Sequence, residues 1–242
     1  MAKAKIIVFD LFATLIHDIS FDFSSGLRYL YETILTEGTD QTEFLNYANI
    51  YWKTKYDKRV EDNSEIPFEE ELLDLKNKYG FKVDWSLEEI QYNCMKKMNE
   101  NELFEDTLLT LEKLKSLNIP VYLLSNSIFK KDVMKRLLNQ YDLEQYFEGI
   151  YFSADYKVRK PHKGFFQIVM NEIKKHNKET HPDEIFYIGD NYKADVLGAG
   201  NFGFTPVFLN RSQIDGINKG GFYEIESLLE VLECFYHDIV PG

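Results

Sequence analysis

Five short apolar runs recur along this chain, at residues 5 to 9 (KIIVF), 119 to 124 (IPVYLL), 149 to 153 (GIYFS), 185 to 188 (IFYI) and 206 to 209 (PVFL). Each is too short for a helix and rich in β-branched or aromatic residues, which suits strands buried on both faces. Helical patterns lie between them: DTLLTLEKLKSLN with Asp106 as its N-cap, FKKDVMKRLLNQY from Phe129, and GFFQIVMNEIKKH from Gly164. This alternation predicts an α/β fold, a doubly wound (Rossmann-like) parallel sheet with helices on both faces. FYEIESLLEVLECFY, near the end of the sequence, reads as a last packing helix.

The stretch from Ile19 to about Asn101 breaks the alternation, offering only helical patterns such as TEFLNYANIYWKTKYDKR and PFEEELLDLKNKYG. It reads as a helical insertion, which divides the chain into an α/β core (1–17 and 99–242) and an inserted helical cap (18–98). The stripe Phe44, Tyr47, Tyr51, Trp52 and Tyr56 has helical spacing and reads as packing. The acidic run Glu69 to Glu71 reads as a solvated helix face, and Arg59 and Lys53 as surface cations that are also candidates for anion contacts.

The formal net charge of -12 over 242 residues argues against nucleic acid as a partner. Two cysteines, Cys94 and Cys234, without CxxC spacing or clustered histidines, suggest neither zinc nor a disulfide framework. No stretch approaches the roughly 20 apolar residues of a membrane span, and the apolar run after MAKAK is too short for a signal peptide. The expectation is a soluble, cytoplasmic protein acting on a small molecule, its oligomeric state open.

In open α/β sheets ligands bind at the carboxyl ends of the strands. Four such ends carry polar residues: Asp10 with Thr14, Ser125 followed by Asn126, Lys160 in the loop VRKPHKGFF, and Gly189-Asp190 with Asp195 in IFYIGDNYKAD. Taken singly, Thr14 and Ser125 also read as turn caps and Asp195 as an early helical residue favoured by the helix dipole. Gly198 and Gly200 read as close-packing positions. His17 and Asp18, just after the first strand, are near enough in sequence to approach the site.

In order and placement these residues resemble the four motifs of the haloacid dehalogenase (HAD) superfamily of hydrolases. The resemblance covers residues 6 to 200, including Lys160-Pro161 and GDNYKADVLGAGNFGF. It implies Asp10 as a nucleophile that forms a covalent ester, splitting one displacement into two easier ones. Thr14, Ser125 and Lys160 would supply donors and positive charge, with Ser125, Asn126 and Lys160 contacting substrate. Mg²⁺ would be held by Asp10, Asp190 and the backbone carbonyl of Phe12, with Asp195 a direct or supporting ligand.

Phe12 departs from the pattern. The phosphatases of the superfamily carry there an Asp that protonates the leaving group, a role typically worth ~10² to 10⁴ in rate. The dehalogenase branch has an aromatic there, and halide leaves unprotonated; that branch uses no metal and lacks the Gly-Asp pair that this chain keeps. The resemblance therefore implies a Mg²⁺-dependent phosphatase acting on a small phosphorylated metabolite through an aspartyl-phosphate, with an easily displaced leaving group or His17 as substitute acid. Two alternatives stay open: a metal-free 2-haloacid dehalogenase-like hydrolase, or a phosphoryl-ligand-binding protein with weakened turnover.

Overall fold

The structure, a computed structural model, describes residues 6–213 and 220–231. The chain enters at β1 (Ile6–Phe9) and turns into β2 (Ile16–Phe21). An all-helical stretch follows: α1 (Phe23–Tyr29), which continues into a π-helical turn, α2 (Gln41–Asp62), α3 (Phe68–Tyr79) and α4 (Leu87–Met98). From β3 (Asn99–Leu103) onward strands and helices alternate: α5 (Glu105–Ser116), β4 (Val121–Ser125), α6 (Lys131–Gln140), β5 (Gly149–Phe152), α7 (Ser153–Tyr156), α8 (Lys163–His176), β6 (Ile185–Gly189), α9 (Gly198–Phe202), β7 (Thr205–Leu209) and β8 (Tyr223–Ile225).

Six strands form one parallel sheet in the order β5-β4-β1-β6-β7-β8. The two-residue period of β1 splits its side chains between layers. Ile7 and Phe9 join Leu111 and Leu114 of α5 and Val133, Met134 and Leu137 of α6 on one face. Ile6 and Val8 join Phe165, Phe166 and Val169 of α8 and Ala199 of α9 on the other. Both faces are thus covered, as the unbroken apolar runs predict, and the polar residues that follow β1, β4 and β6 emerge along one edge. Among the described residues no helix is long and apolar enough to cross a membrane.

Four expectations are corrected. Residues 223–225 of the segment read as a last helix form β8, beside β7; Cys234 and the remainder beyond 231 lie outside the described residues, as does Lys5. The ends of the helical stretch are strands: β2 and β3 pair antiparallel, Ile16 opposite Leu103 and Phe21 opposite Asn99. Their sequences, IHDISF and NENEL, have no apolar run because the ribbon is largely solvated. Asp106 is not an N-cap, since Phe104 holds that position in α5. Its carboxylate instead takes both terminal nitrogens of Arg211 at 2.9 and 2.8 Å and the backbone N–H of Leu228 at 2.8 Å, tying α5 to the chain after β8.

The fourth concerns the acidic run on α3, of which Glu69 and Glu70 are only part-exposed and Glu71 is buried. Glu69 pairs with Lys130, Glu70 lies 2.7 Å from Lys157 Nζ, and Glu71 is buried with neither carboxylate oxygen hydrogen-bonded among the described residues. Burial, and then the charge of Asp74, push the Glu71 carboxyl up to about 8; Cys94 and Tyr51 face the same interior and both are themselves raised. Glu71 therefore takes up a proton on folding between its ordinary 4.5 and about 8. Its contribution is complete below the lower value and is lost as pH rises through the upper, by about 5 kcal/mol at most. Glu71→Gln is expected to melt close to wild type at pH 5 and above it at pH 9; equal melting temperatures at both would show that this carboxyl does not titrate with folding.

Candidate active site

The turn after β1 sets the first part of the site. Asp10 continues the strand, its N–H donating to the carbonyl of Ile188 on β6 at 2.9 Å. The chain then reverses through Ala13 at a φ of 56°, with Ala13 N–H on Ile16 C=O at 2.7 Å. That reversal turns Thr14 inward, fully buried, where its hydroxyl donates to Asp190 Oδ1 at 3.4 Å. Thr14 is thus no mere turn cap.

Lys160 reaches the site from the loop before α8. Its ammonium is buried, 2.8 Å from Asp10 Oδ1, 2.7 Å from Asp195 Oδ1 and 2.7 Å from the Tyr187 hydroxyl. Asn126 fixes the loop: its Oδ1 accepts from Lys160 N–H at 2.8 Å and its Nδ2 donates to Lys160 C=O at 3.2 Å. Ser125, at the end of β4, is buried with no partner for its Oγ among the described residues. An unsatisfied buried hydroxyl is costly, and one at a strand's carboxyl end is a donor ready for a bound oxyanion.

Asp195 lies in the π-helical turn Tyr192–Leu197, which Asn191 caps by accepting from Ala194 N–H at 2.9 Å. One Asp195 oxygen takes Lys160 and the other takes Asn191 N–H at 2.9 Å. The carboxylate lies flat against Gly189, where a Cβ would sit 2.4 Å from its Cγ, so only glycine fits before Asp190. Gly198 likewise admits Phe166, 2.9 Å from where its Cβ would stand; at Gly200 only Pro206 comes near, at 3.5 Å.

Carboxylate oxygens of Asp10, Asp190 and Asp195 all fall within 4.8 Å of one another, with Lys160 as the ammonium among them. Charge is out of balance: three carboxylates face one ammonium. Burial, then the charges of Asp10 and Asp195, push Asp190 up to about 7. Burial also raises Asp195, against the pull of Lys160. For Lys160 burial favours the neutral amine, but Asp10 and Asp195 outweigh it and hold the ammonium above its ordinary range. Three hard oxygen donors in excess of local positive charge fit a divalent cation such as Mg²⁺, which would favour the ionised form of Asp190 and Asp195.

Tyr187 escaped the sequence reading. Nothing in the run IFYI separates it from a packing residue, yet its hydroxyl accepts from Lys160 and donates to the carbonyl of Leu124 at 2.8 Å, linking β6 to β4 beneath the acids. His17 lies apart. It is half exposed, stacked on Phe104 at 5.2 Å and 3.7 Å from Glu102, and it is not among the residues that line the cavity described below.

A cavity of about 460 Å³ lies between the strand ends and the helical stretch, within the 300–1,000 Å³ typical of small-molecule sites. Phe12, Asn126 and Ser127 form one side; Phe21, Phe23, Trp52, Tyr56 and Arg59 the other. The aromatic stripe thus divides: Phe44 and Tyr47 pack inside the helical stretch, while Trp52 and Tyr56 line the cavity. Arg59 is not a solvated surface cation, unlike Lys53, which is exposed. Its Nε lies 2.8 Å from Glu65, whose fully buried carboxylate also accepts from the Ser153 hydroxyl at 2.7 Å. Glu65 went unnoticed in the sequence because an acid in a loop carries no periodic signal.

A family model for haloacid dehalogenase-like hydrolases matches residues 4–203. The chain belongs to that family. HAD enzymes generally use a divalent metal, and the acidic cluster stands where one fits. An (S)-2-haloacid dehalogenase of Burkholderia cepacia is 29% identical over 117 residues, 48% of this chain and 47% of the relative. A pyrimidine 5′-nucleotidase of Streptococcus pneumoniae is 26% identical over 104 residues, 43% of this chain and 42% of the relative. The matched stretches span a little under half the length of these two curated HAD relatives. Among solved structures, a HAD phosphatase from Thermococcus onnurineus superposes with a TM-score of 0.63 at 21% identity, covering 98% of this chain and 100% of that one.

Proposed function

We propose that this HAD-family hydrolase is a divalent-cation-dependent phosphohydrolase of small phosphorylated metabolites, with Asp10 as nucleophile. One observation carries the reading: Asp190 stands beside Asp10 and Asp195 with a single buried ammonium, an excess of negative charge that a further cation would balance. Asp10, Asp190 and the Phe12 carbonyl would hold Mg²⁺, with Asp195 in direct or supporting contact. When bound, the ion would neutralise charge on the transferring phosphoryl oxygens.

The remaining work falls to the chain itself. Asp10 attacks phosphorus in line with the departing oxygen and becomes an aspartyl-phosphate, which water then hydrolyses. Lys160, oriented by Tyr187 and Asp195, holds the Asp10 carboxylate at 2.8 Å and places positive charge beside the phosphoryl group. The Ser125 hydroxyl is the donor left for a phosphoryl oxygen, while Thr14 holds Asp190 and Asn126 holds the Lys160 loop. Residues 18–98 act as a cap that walls the cavity and excludes water during transfer.

Chelation with EDTA is expected to silence the enzyme and added Mg²⁺ to restore it. Mg²⁺ at a hundred times its dissociation constant should also stabilise the folded protein by about 2.7 kcal/mol, a gain that Asp190→Asn removes. A second reading, a metal-free carbon-centred hydrolase, draws on Phe12 and on the haloacid dehalogenase relative. Release of halide from 2-haloacids, undiminished by chelator, would establish it instead. Binding of phosphorylated metabolites without turnover, under either condition, would favour a protein that kept the site's affinity and lost its chemistry.

A further inference from the structure

The side chain that takes the place of a proton donor is also a wall of the cavity beside the strand ends. Phe12, two residues beyond the nucleophile, lines the 460 Å³ space together with Phe23, Trp52 and Tyr56. Phe23 and Trp52 stack with centroids 5.0 Å apart, and the Arg59 guanidinium, fixed by Glu65, lies 5.6 Å from the Trp52 ring. Resting on the phosphohydrolase reading, we infer that the substrate is an aryl phosphate, a phosphomonoester of an aromatic hydroxyl whose ring occupies this cavity.

Two independent features meet in that class. Aromatic walls select a flat apolar group by area and by offset or edge-on ring contacts. Phe12 supplies no proton, so the departing oxygen must carry its charge unaided, and an aryloxide does so where an alkoxide does not. In the first step the Asp10 oxygen forms a bond to phosphorus, the bond from phosphorus to the aryl oxygen breaks with its electron pair, and the aryloxide takes a proton from bulk water. In the second, water bonds to phosphorus, the bond to Asp10 breaks with its pair left on the carboxylate, and inorganic phosphate keeps the water's two protons.

Asp18 is the acidic side chain on the cavity wall, bonded by the Asn101 amide, and is therefore the rival donor. The test is a series of substituted phenyl phosphates alongside ethyl phosphate, with acetyl phosphate as a substrate that has no ring, all with Mg²⁺. Phenyl phosphates are expected to exceed ethyl phosphate in kcat/KM by ~10² to 10⁴, with kcat falling steadily as the phenol becomes more basic. Phe12→Asp should narrow that gap chiefly by raising the ethyl phosphate rate. Trp52→Ala should raise KM for phenyl phosphate severalfold more than for acetyl phosphate. Comparable turnover of ethyl and phenyl phosphates would overturn the inference, as would a shallow dependence on the phenol that Asp18→Asn makes steep. Hydrolysis of acetyl phosphate alone would remove the aryl assignment and leave the phosphohydrolase standing; inertness toward the whole series would bring down both.

Discussion

Asp10→Asn is expected to abolish turnover, lowering kcat on the order of 10⁵-fold or more, the scale seen when a covalent nucleophile is removed. The amide preserves the shape of the side chain and cannot form the ester. It also removes one of three crowded carboxylates, so the fold should survive: Lys160 keeps Asp195 at 2.7 Å, and Asp190 loses a like charge that helps to raise it. The decisive pair of measurements is single-turnover kinetics on the best available substrate and thermal melting of the same preparation. Wild-type rates from a folded Asp10→Asn protein would eliminate covalent catalysis at this position.

Lys160→Met should be the most damaging single change to stability. The ammonium is buried against Asp10 and Asp195, and removing it strands both acids without their common counter-charge. Breaking a buried pair in this way costs about 3–5 kcal/mol, measurable as a shift of the urea midpoint at constant slope. The deficit should depend on pH with a definite sign. Asp190 and Asp195 are already raised in the folded protein, and loss of the ammonium raises them further. Their contribution is retained at low pH, where they are protonated, and lost as pH rises, so the variant should fall furthest behind wild type at alkaline pH. Mg²⁺ should recover part of the loss, because it supplies charge at the same place. A deficit independent of both pH and Mg²⁺ would mean that packing, not charge, is what Lys160 provides.

What the sequence disclosed, and what it hid, follows from how each residue is used. Residues 6 to 9, 121 to 124 and 185 to 188 are apolar because both faces of the sheet are covered, so their pattern survives without any knowledge of neighbours. Asp10, Ser125 and Asp190 stand out because each ends or follows such a run, and Lys160 because it precedes Pro161 in the loop before a helix. The β2–β3 ribbon carries no comparable mark, since a solvated two-stranded element needs no apolar alternation. Asp106 looks like a helix cap until Arg211, 105 residues away, claims its carboxylate. Glu71 and Glu65 are invisible for a similar reason. Local sequence reports them as acids in a helix and a loop, while burial by distant segments makes one a neutral carboxyl and the other the anchor of Arg59.

The antiparallel ribbon of β2 and β3 also bears on how such a chain can change over time. Ile16 and Leu103 are opposite one another, so everything between them leaves the sheet and comes back at the same doorway. Paired strands stand about 5 Å apart, a gap that a tight turn spans. An exchange of the intervening residues would keep both chain ends in place, and it would also have to remake the bonds from Arg159 N–H to Asn63 C=O at 3.0 Å and from Phe68 N–H to Ile128 C=O at 2.8 Å, which tie the stretch to the Lys160 loop and to the chain after β4.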